Sequence, residues 1–209
     1  MQARLVRSVA ARGALSSRGM EAADLDTVAA RFSAVAPAVD ACTVRLIDER
    51  NEHLEVRRGV VQPPRVAYDR GAMVTVWDGG GVGYAATPDL SAAGLRRACA
   101  AAADWARATA ARHVLRGVTP PALPSGGEYR SRVVMPWSDL SLADKIALLR
   151  GEAERLRPEP RIVDWEASLW HTTLDVLLAD AAGGRVRQRF EFLMPSLSAT
   201  ASGTRSAAA

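Results

Sequence analysis

The chain has 209 residues, 48% of them hydrophobic, with 27 Lys+Arg against 23 Asp+Glu and a formal net charge of +4. This balance is that of a globular protein and excludes wholesale disorder, and no run approaches the roughly 18 apolar residues that a membrane-spanning helix needs. The excess charge sits in Met1–Gly19, which holds Arg4, Arg7, Arg12 and Arg18 and no acid; setting those four aside leaves 23 basic residues against 23 acidic ones. The body of the protein therefore offers no electrostatic case for a nucleic-acid partner.

Residues 1–19 are Arg-rich but too interrupted for a secretory signal core, and read as a disordered or non-native extension ahead of Met20. From Ala22, the apolar positions Leu25, Val28, Ala29, Phe32, Val35 and Ala36 follow helical spacing up to Pro37. Alternation at Cys42–Ile47 and again at Leu54–Arg57 predicts strands. Ala72–Trp77 and Val82–Thr87 flank Asp78-Gly79-Gly80-Gly81, a hairpin signal. Ser91 is placed to cap an Ala-rich helix with an inward stripe of Leu95, Cys99, Ala102, Trp105 and Ala106. Gly117–Gly127 reads GVTPPALPSGG and predicts a linker. Beyond it, Ser141-Leu142-Ala143-Asp144 opens a helix striped by Leu142, Ile146, Leu149, Ala153 and Leu156. Asp164–Leu178 reads as extended, and Val186, Gln188, Phe190 and Phe192 alternate with Arg185, Arg187, Arg189 and Glu191.

The expected fold class is α+β, with two small domains, each a mainly antiparallel sheet packed with amphipathic helices. The expected division is an extension at 1–19, an α+β domain at 20–116, a Pro/Gly linker at 117–127, the start of a second α+β domain at 128–201 and a disordered tail at 202–209.

Motifs that carry chemistry are scarce. His53, His113 and His171 lie far apart in sequence and form no local metal-ligand spacing, so no metal ligand is assigned. No Gly-x-Ser-x-Gly elbow occurs, and Cys99 falls on the apolar stripe of its helix as a small hydrophobe would. Cys42 and Cys99 are too few for a disulfide framework, which makes a reducing cytoplasm the simplest compartment. Gly81-Val82-Gly83-Tyr84-Ala85-Ala86 matches a relaxed dinucleotide-binding pattern but occupies a strand-like run, so a hairpin is expected there. Arg185, Arg187 and Arg189 form a row on one strand face. It reads either as a solvated outer face or as a site for phosphate or an acidic peptide, and these three are the candidate binding residues.

Three stretches carry a family resemblance: Glu52-His53-Leu54-Glu55-Val56-Arg57-Arg58-Gly59-Val60-Val61, then Asp69-Arg70-Gly71, then Gly83-Tyr84-Ala85-Ala86-Thr87-Pro88-Asp89-Leu90-Ser91. Together they resemble the N-terminal domain of the TldD/PmbA metallopeptidases, once described as modulators of DNA gyrase. Arg189-Phe190-Glu191-Phe192-Leu193-Met194-Pro195, followed by Ser198-Ala199-Thr200-Ala201, is similar to the end of that family's central region. Met73 departs from the pattern, since members often carry a second glycine there. The resemblance implies a zinc-dependent peptidase acting on peptides or unfolded proteins as a homo- or heterodimer with a homologous subunit; the charge balance and the lack of a long apolar run predict no nucleic-acid partner and no membrane. It also implies that the zinc motif His-Glu-x-x-x-His belongs to a further domain. No residue of this chain matches that motif, so no cofactor is expected in the chain itself. Two classes stay open: the N-terminal portion of such a subunit, or a non-catalytic peptide-binding or scaffold protein derived from the same family.

Overall fold

The structure is a computed structural model that describes residues 24–112, 120–157 and 159–203. The described residues form α1 (Leu25–Ser33), β1 (Ala41–Arg57), β2 (Val60–Val61), β3 (Arg65–Asp78), β4 (Gly81–Thr87) and α2 (Ala92–Thr109), followed by β5 (Glu128–Arg130), a 3₁₀ turn (Trp137–Asp139), α3 (Leu142–Arg155), β6 (Ile162–Asp180) and β7 (Arg185–Ala201). The extension at residues 1–19 and His113 lie outside the described residues.

One seven-stranded sheet runs in the order β4-β3-β1-β6-β7-β5, with β2 paired to β1, and only the short β5·β7 pairing is parallel. The mixed α+β class with a mainly antiparallel sheet agrees with the sequence. The two runs Cys42–Ile47 and Leu54–Arg57 belong to a single strand of 17 residues, because β3 and β6 pair with β1 along nearly its whole length. Residues 123–127 of the Pro/Gly stretch lie along this sheet. Leu123 N–H donates to the Asp180 carboxylate at 3.0 Å, while Pro124 and Gly127 carbonyls each accept from β7 amides at 2.8 Å. Their backbone partners are those of an edge strand, so the segments on either side share one sheet while each keeps its own apolar cluster.

Side chains alternate across a strand, so register assigns every residue to a face. The even-numbered residues of β1 face all three described helices. Cys42, Val44 and Leu46 meet α1 and α2, whereas Leu54 and Val56 meet α3. Ser91 caps α2 by accepting from Gly94 N–H, and Ser141 caps α3 by accepting from Asp144 N–H, both at 3.1 Å. A Cβ at Gly81 or Gly83 would overlap the carbonyls of Ala106 or Ala102, so these glycines let α2 settle directly on β4.

Two stripe assignments need correction. Trp105 is 62% exposed, because β4 is the edge of the sheet and no described residue lies beyond it to cover that flank of α2. On α3 the buried face is Lys145, Leu149 and Ala153, with Leu142 outside. Periodicity mistakes a buried ammonium for a polar position.

Candidate functional site

Between the two apolar clusters, the helix-bearing face is polar. Along β1 the sequence passes from Leu46 through Asp48, Arg50 and Glu52 to Leu54. The cross-strand partners on β6 are Asp175, Thr173 and His171, and those on β3 are Arg70, Tyr68 and Val66. On β7, Arg189 lies opposite Asp175 and Glu191 opposite Thr173. A cleft of about 680 Å³ opens over this saddle, walled by Asp48, Arg50, Tyr68, Asp175, Arg189 and Glu191, with the segment after β5 crossing one side.

An ion-pair lattice runs from its wall at Asp175 and Arg189 toward α1. Arg187 bridges Asp175 at 2.6 Å and Asp26 of α1 at 2.8 Å, Arg185 also meets Asp26 at 3.4 Å, and Arg189 reaches Asp175 at 3.3 Å and Glu128 at 3.1 Å. Arg70 pairs with Asp48, and Arg50 with Glu52 at 3.2 Å. Burial pushes the Asp175 carboxyl up, but hydrogen bonds and charge from Arg187 and then Arg189 outweigh it and hold the group below the usual carboxylate range. Arg187 is raised in turn, first by its hydrogen bond to Asp175, with burial opposing and the charges of Asp175, Asp26 and Asp24 reinforcing.

One end of the saddle closes with an aromatic stack. The Trp137 ring lies parallel to His171 at 4.8 Å between centroids, and Lys145 Nζ sits 3.8 Å from the centroid of the same indole. His171 Nε2 contacts Glu191 Oε1 at 2.9 Å, and Lys145 Nζ is 3.7 Å from Glu52 Oε1. Lys145 is 7% exposed and is the chain's single lysine. A compact ammonium fits under α3 against an indole face where a planar guanidinium would need more donors satisfied. The indole N–H groups of Trp137 and Trp165 are buried without a partner.

The structure places Arg185, Arg187 and Arg189 in a row on the helix-bearing face and not on a solvated outer one. Each arginine is paired with acids of β5, β6 or α1, which hold the row in place and offset its charge. Sequence reasoning missed Asp175, Glu191, Lys145, Glu52, His171 and Trp137, since strand register brings Asp175, Glu191, Glu52 and His171 together and only the packing of α3 and the 3₁₀ turn adds Lys145 and Trp137. The acids Asp24 and Asp26 at the start of α1 were the one available signal for a basic partner.

The described residues do not fit a zinc ion. Among the described residues, no group of three or more His, Cys, Asp or Glu side chains could hold a metal. His171 is committed to Glu191, and His53, on the opposite face, contacts Arg65 at 3.1 Å and tilts against Trp170.

This architecture can be set beside known proteins. Residues 42–106 match the family model described as PmbA/TldA metallopeptidase domain 1, a span running from Cys42 through the hairpin to Ala106 of α2. The whole fold is similar to a modulator of DNA gyrase from Bacteroides thetaiotaomicron, at 17% identity and a TM-score of 0.60, over 85% of this chain and 40% of that one. It is also similar to a modulator of DNA gyrase from Thermotoga maritima, at 16% identity and a TM-score of 0.59, over 78% of this chain and 36% of that one. This chain thus spans well under half the length of either. No curated protein matches it. The class is that of proteins built on a PmbA/TldA-type first domain. Residues 42–106 of this chain are thus similar to the first domain of the PmbA/TldA metallopeptidases, and its fold is similar to that of both gyrase modulators.

Proposed function

We propose that this chain serves proteolysis as the N-terminal portion of a TldD/PmbA-like zinc metallopeptidase subunit. The observation that carries the reading is the match of residues 42–106 to the first domain of those peptidases. In this role the sheet and helices supply assembly surface and a substrate-holding cleft, while zinc belongs to residues other than those described. The partner is a homologous subunit, in a homo- or heterodimer, and the substrate is a peptide or an unfolded protein. Arg189, in the wall of the cleft, is the member of the arginine row placed to meet a substrate carboxylate. Cytoplasmic residence fits the unpaired cysteines, and no described helix is long and apolar enough to cross a membrane.

A second reading is a non-catalytic peptide-binding or scaffold protein of the same descent, which the cleft alone would serve. Sequencing the DNA beyond codon 209 separates the two. A downstream His-Glu-x-x-x-His, in frame or frameshifted, is the result expected for the peptidase subunit, and its absence overturns that reading in favour of the scaffold. Metal analysis of the purified chain gives an independent check. One tightly bound zinc per chain, lost in His171→Ala, would place a metal site within these residues and contradict the proposed division of labour.

A further inference from the structure

β7 is the outermost long strand of the sheet, and its outer edge is only partly covered. The N–H and C=O of one residue point to the same side of a strand, and that side alternates along it. In β7 the odd-numbered residues point outward. Arg185 and Arg187 N–H groups donate to the Pro124 and Gly127 carbonyls at 2.8 Å, and the Arg189 carbonyl accepts from Ser131 N–H at 2.9 Å. Glu191 N–H, next in the series, donates to Ser131 Oγ at 2.9 Å. Beyond it the cover stops. β7 continues as strand to Ala201, held on its inner side by β6, yet no described residue bonds the outward groups of Leu193, Pro195, Leu197, Ala199 or Ala201. The opposite edge differs, since Val82 of β4 has both its N–H and its C=O bonded to the Thr109 hydroxyl of α2. Open edges are usually blunted by charge or by brevity. This one has neither: Phe192–Ala201 reads FLMPSLSATA, and Leu193 and Leu197 are 51% and 54% exposed. Pro195 is its one interruption, at a position where the missing N–H would face outward.

We propose that two copies of this chain join through this edge, β7 pairing antiparallel with β7 of the second copy about a twofold axis at Leu197. The register follows from the open stretch itself. Leu197 is the midpoint between Leu193 and Ala201, so an axis there pairs the whole stretch with itself: Leu197 with Leu197, Pro195 with Ala199 and Leu193 with Ala201. The Pro195 carbonyl accepts from Ala199 N–H of the second copy, so the proline forfeits one bond of its pair and keeps the other. An axis at Ser196 would set Ala201 against Glu191, whose N–H is already taken by Ser131. An axis at Ser198 would leave Leu193 opposite Gly203, past the end of the strand. The chemistry also selects a like partner over an unlike one. Beside a twofold axis a strand meets its own sequence, so clustered charge would face the same charge, and this stretch carries none. A different partner recognised through charge would find nothing along it to pair with. The pairing sets the two Leu197 side chains together on the helix-bearing face and Met194 beside Thr200 on the other, which removes exposed apolar surface from water. A twofold contact uses the same edge on both copies, and the β4 edge is capped at Val82, so the assembly closes at two. The pairing needs only two copies of this chain and stands whether or not the chain serves proteolysis.

The test uses the full chain. Sedimentation velocity at micromolar concentration should show a dimer and no larger species. Leu197→Lys sets two ammonium groups against each other on the axis, and Ala199→Pro removes the N–H offered to Pro195. Neither change touches a bond within the chain, so far-UV circular dichroism should stay as in the wild type while the dimer dissociation constant rises at least about tenfold. Leu197→Cys should give a disulfide-linked dimer under mild oxidation, because directly opposed residues of antiparallel strands lie about 5.5 Å apart between Cα atoms, within disulfide reach. Leu193→Cys should not, since its counterpart lies at the far end of the seam, and neither should the wild type, whose two cysteines are buried. A wild-type chain that stays monomeric throughout would overturn the proposal. So would a dimer that Leu197→Lys leaves unweakened, linkage through Leu193→Cys, or assembly beyond two copies.

Discussion

Under α1 and α2 the sheet is closed by Val44, Leu46, Val74, Val76 and Phe32, all fully buried, and by the alanine stripe of α2. Under α3 it is closed by Leu54, Val56, Leu149 and Trp137, packed around the ammonium of Lys145 and beside the His171–Glu191 pair. The first region is dry and depends on shape. The second keeps charge inside and depends on pairing as well as shape. A buried apolar side chain contributes about 1.5 to 3 kcal/mol with no partner required, while a buried charge is stabilising only as long as its partner stays. The two regions should therefore fail differently, and the cleft lies where they meet.

The largest effect is expected in the dry region. Phe32→Ala leaves a cavity that α1 cannot refill, and should cost about 3 to 5 kcal/mol in denaturant unfolding. A loss under about 1 kcal/mol would mean that α1 is peripheral and the comparison is misdrawn. In the polar region, Lys145→Met should cost about 1 to 3 kcal/mol by leaving Glu52 with Arg50 as its remaining cationic partner, and Lys145→Met with Glu52→Gln should recover most of that loss. Additive losses in this double-mutant cycle would show that the ion pair contributes nothing.

A smaller effect is expected from acid. The Asp175 carboxyl is held below its unfolded value by Arg187 and Arg189, so its contribution is present above the unfolded value of about 3.9 and is lost as pH falls through the folded one. The urea midpoint of the wild type should drop more between pH 6 and pH 3 than that of Asp175→Asn. Parallel curves for the two proteins would remove Asp175 from the account. The smallest effect on stability belongs to the face without helices, where Trp170, Phe192 and Met194 are 42%, 45% and 56% exposed. Phe192→Ser should change stability by no more than about 0.5 kcal/mol while lowering self-association of the chain by light scattering. Unchanged scattering would show that this face is not where copies meet.

Much of the fold was legible because local signals agree with one another. Ser91 and Ser141 cap the helices they were expected to cap, the Asp78–Gly81 hairpin forms, β6 covers the segment read as extended, and β7 follows its alternation. The site was much less legible. The arginine row could be seen, but its acids could not, because Asp26, Glu128 and Asp175 lie up to 161 residues away and reach it only through sheet pairing and the packing of α1.

The sequence by itself determined which segments become helix or strand, since capping, turn chemistry and apolar period act over a few residues. It also set the near-neutral body of the protein, and its short stretches within residues 42–106 were enough to indicate the resemblance to a PmbA/TldA first domain. Tertiary structure alone decided which face of β7 the helices cover. Alternation separates Arg187 from Phe190 without saying which side is inner, and here the arginine side is inner because α1 brings Asp26 to it. It likewise decided that Lys145 is buried and Trp105 is not. Both depend on what lies across the sheet, namely an indole and a carboxylate for Lys145 and an open edge beyond β4 for Trp105. Burial of a side chain is a property of the surface it meets, and that surface comes from residues distant in the chain.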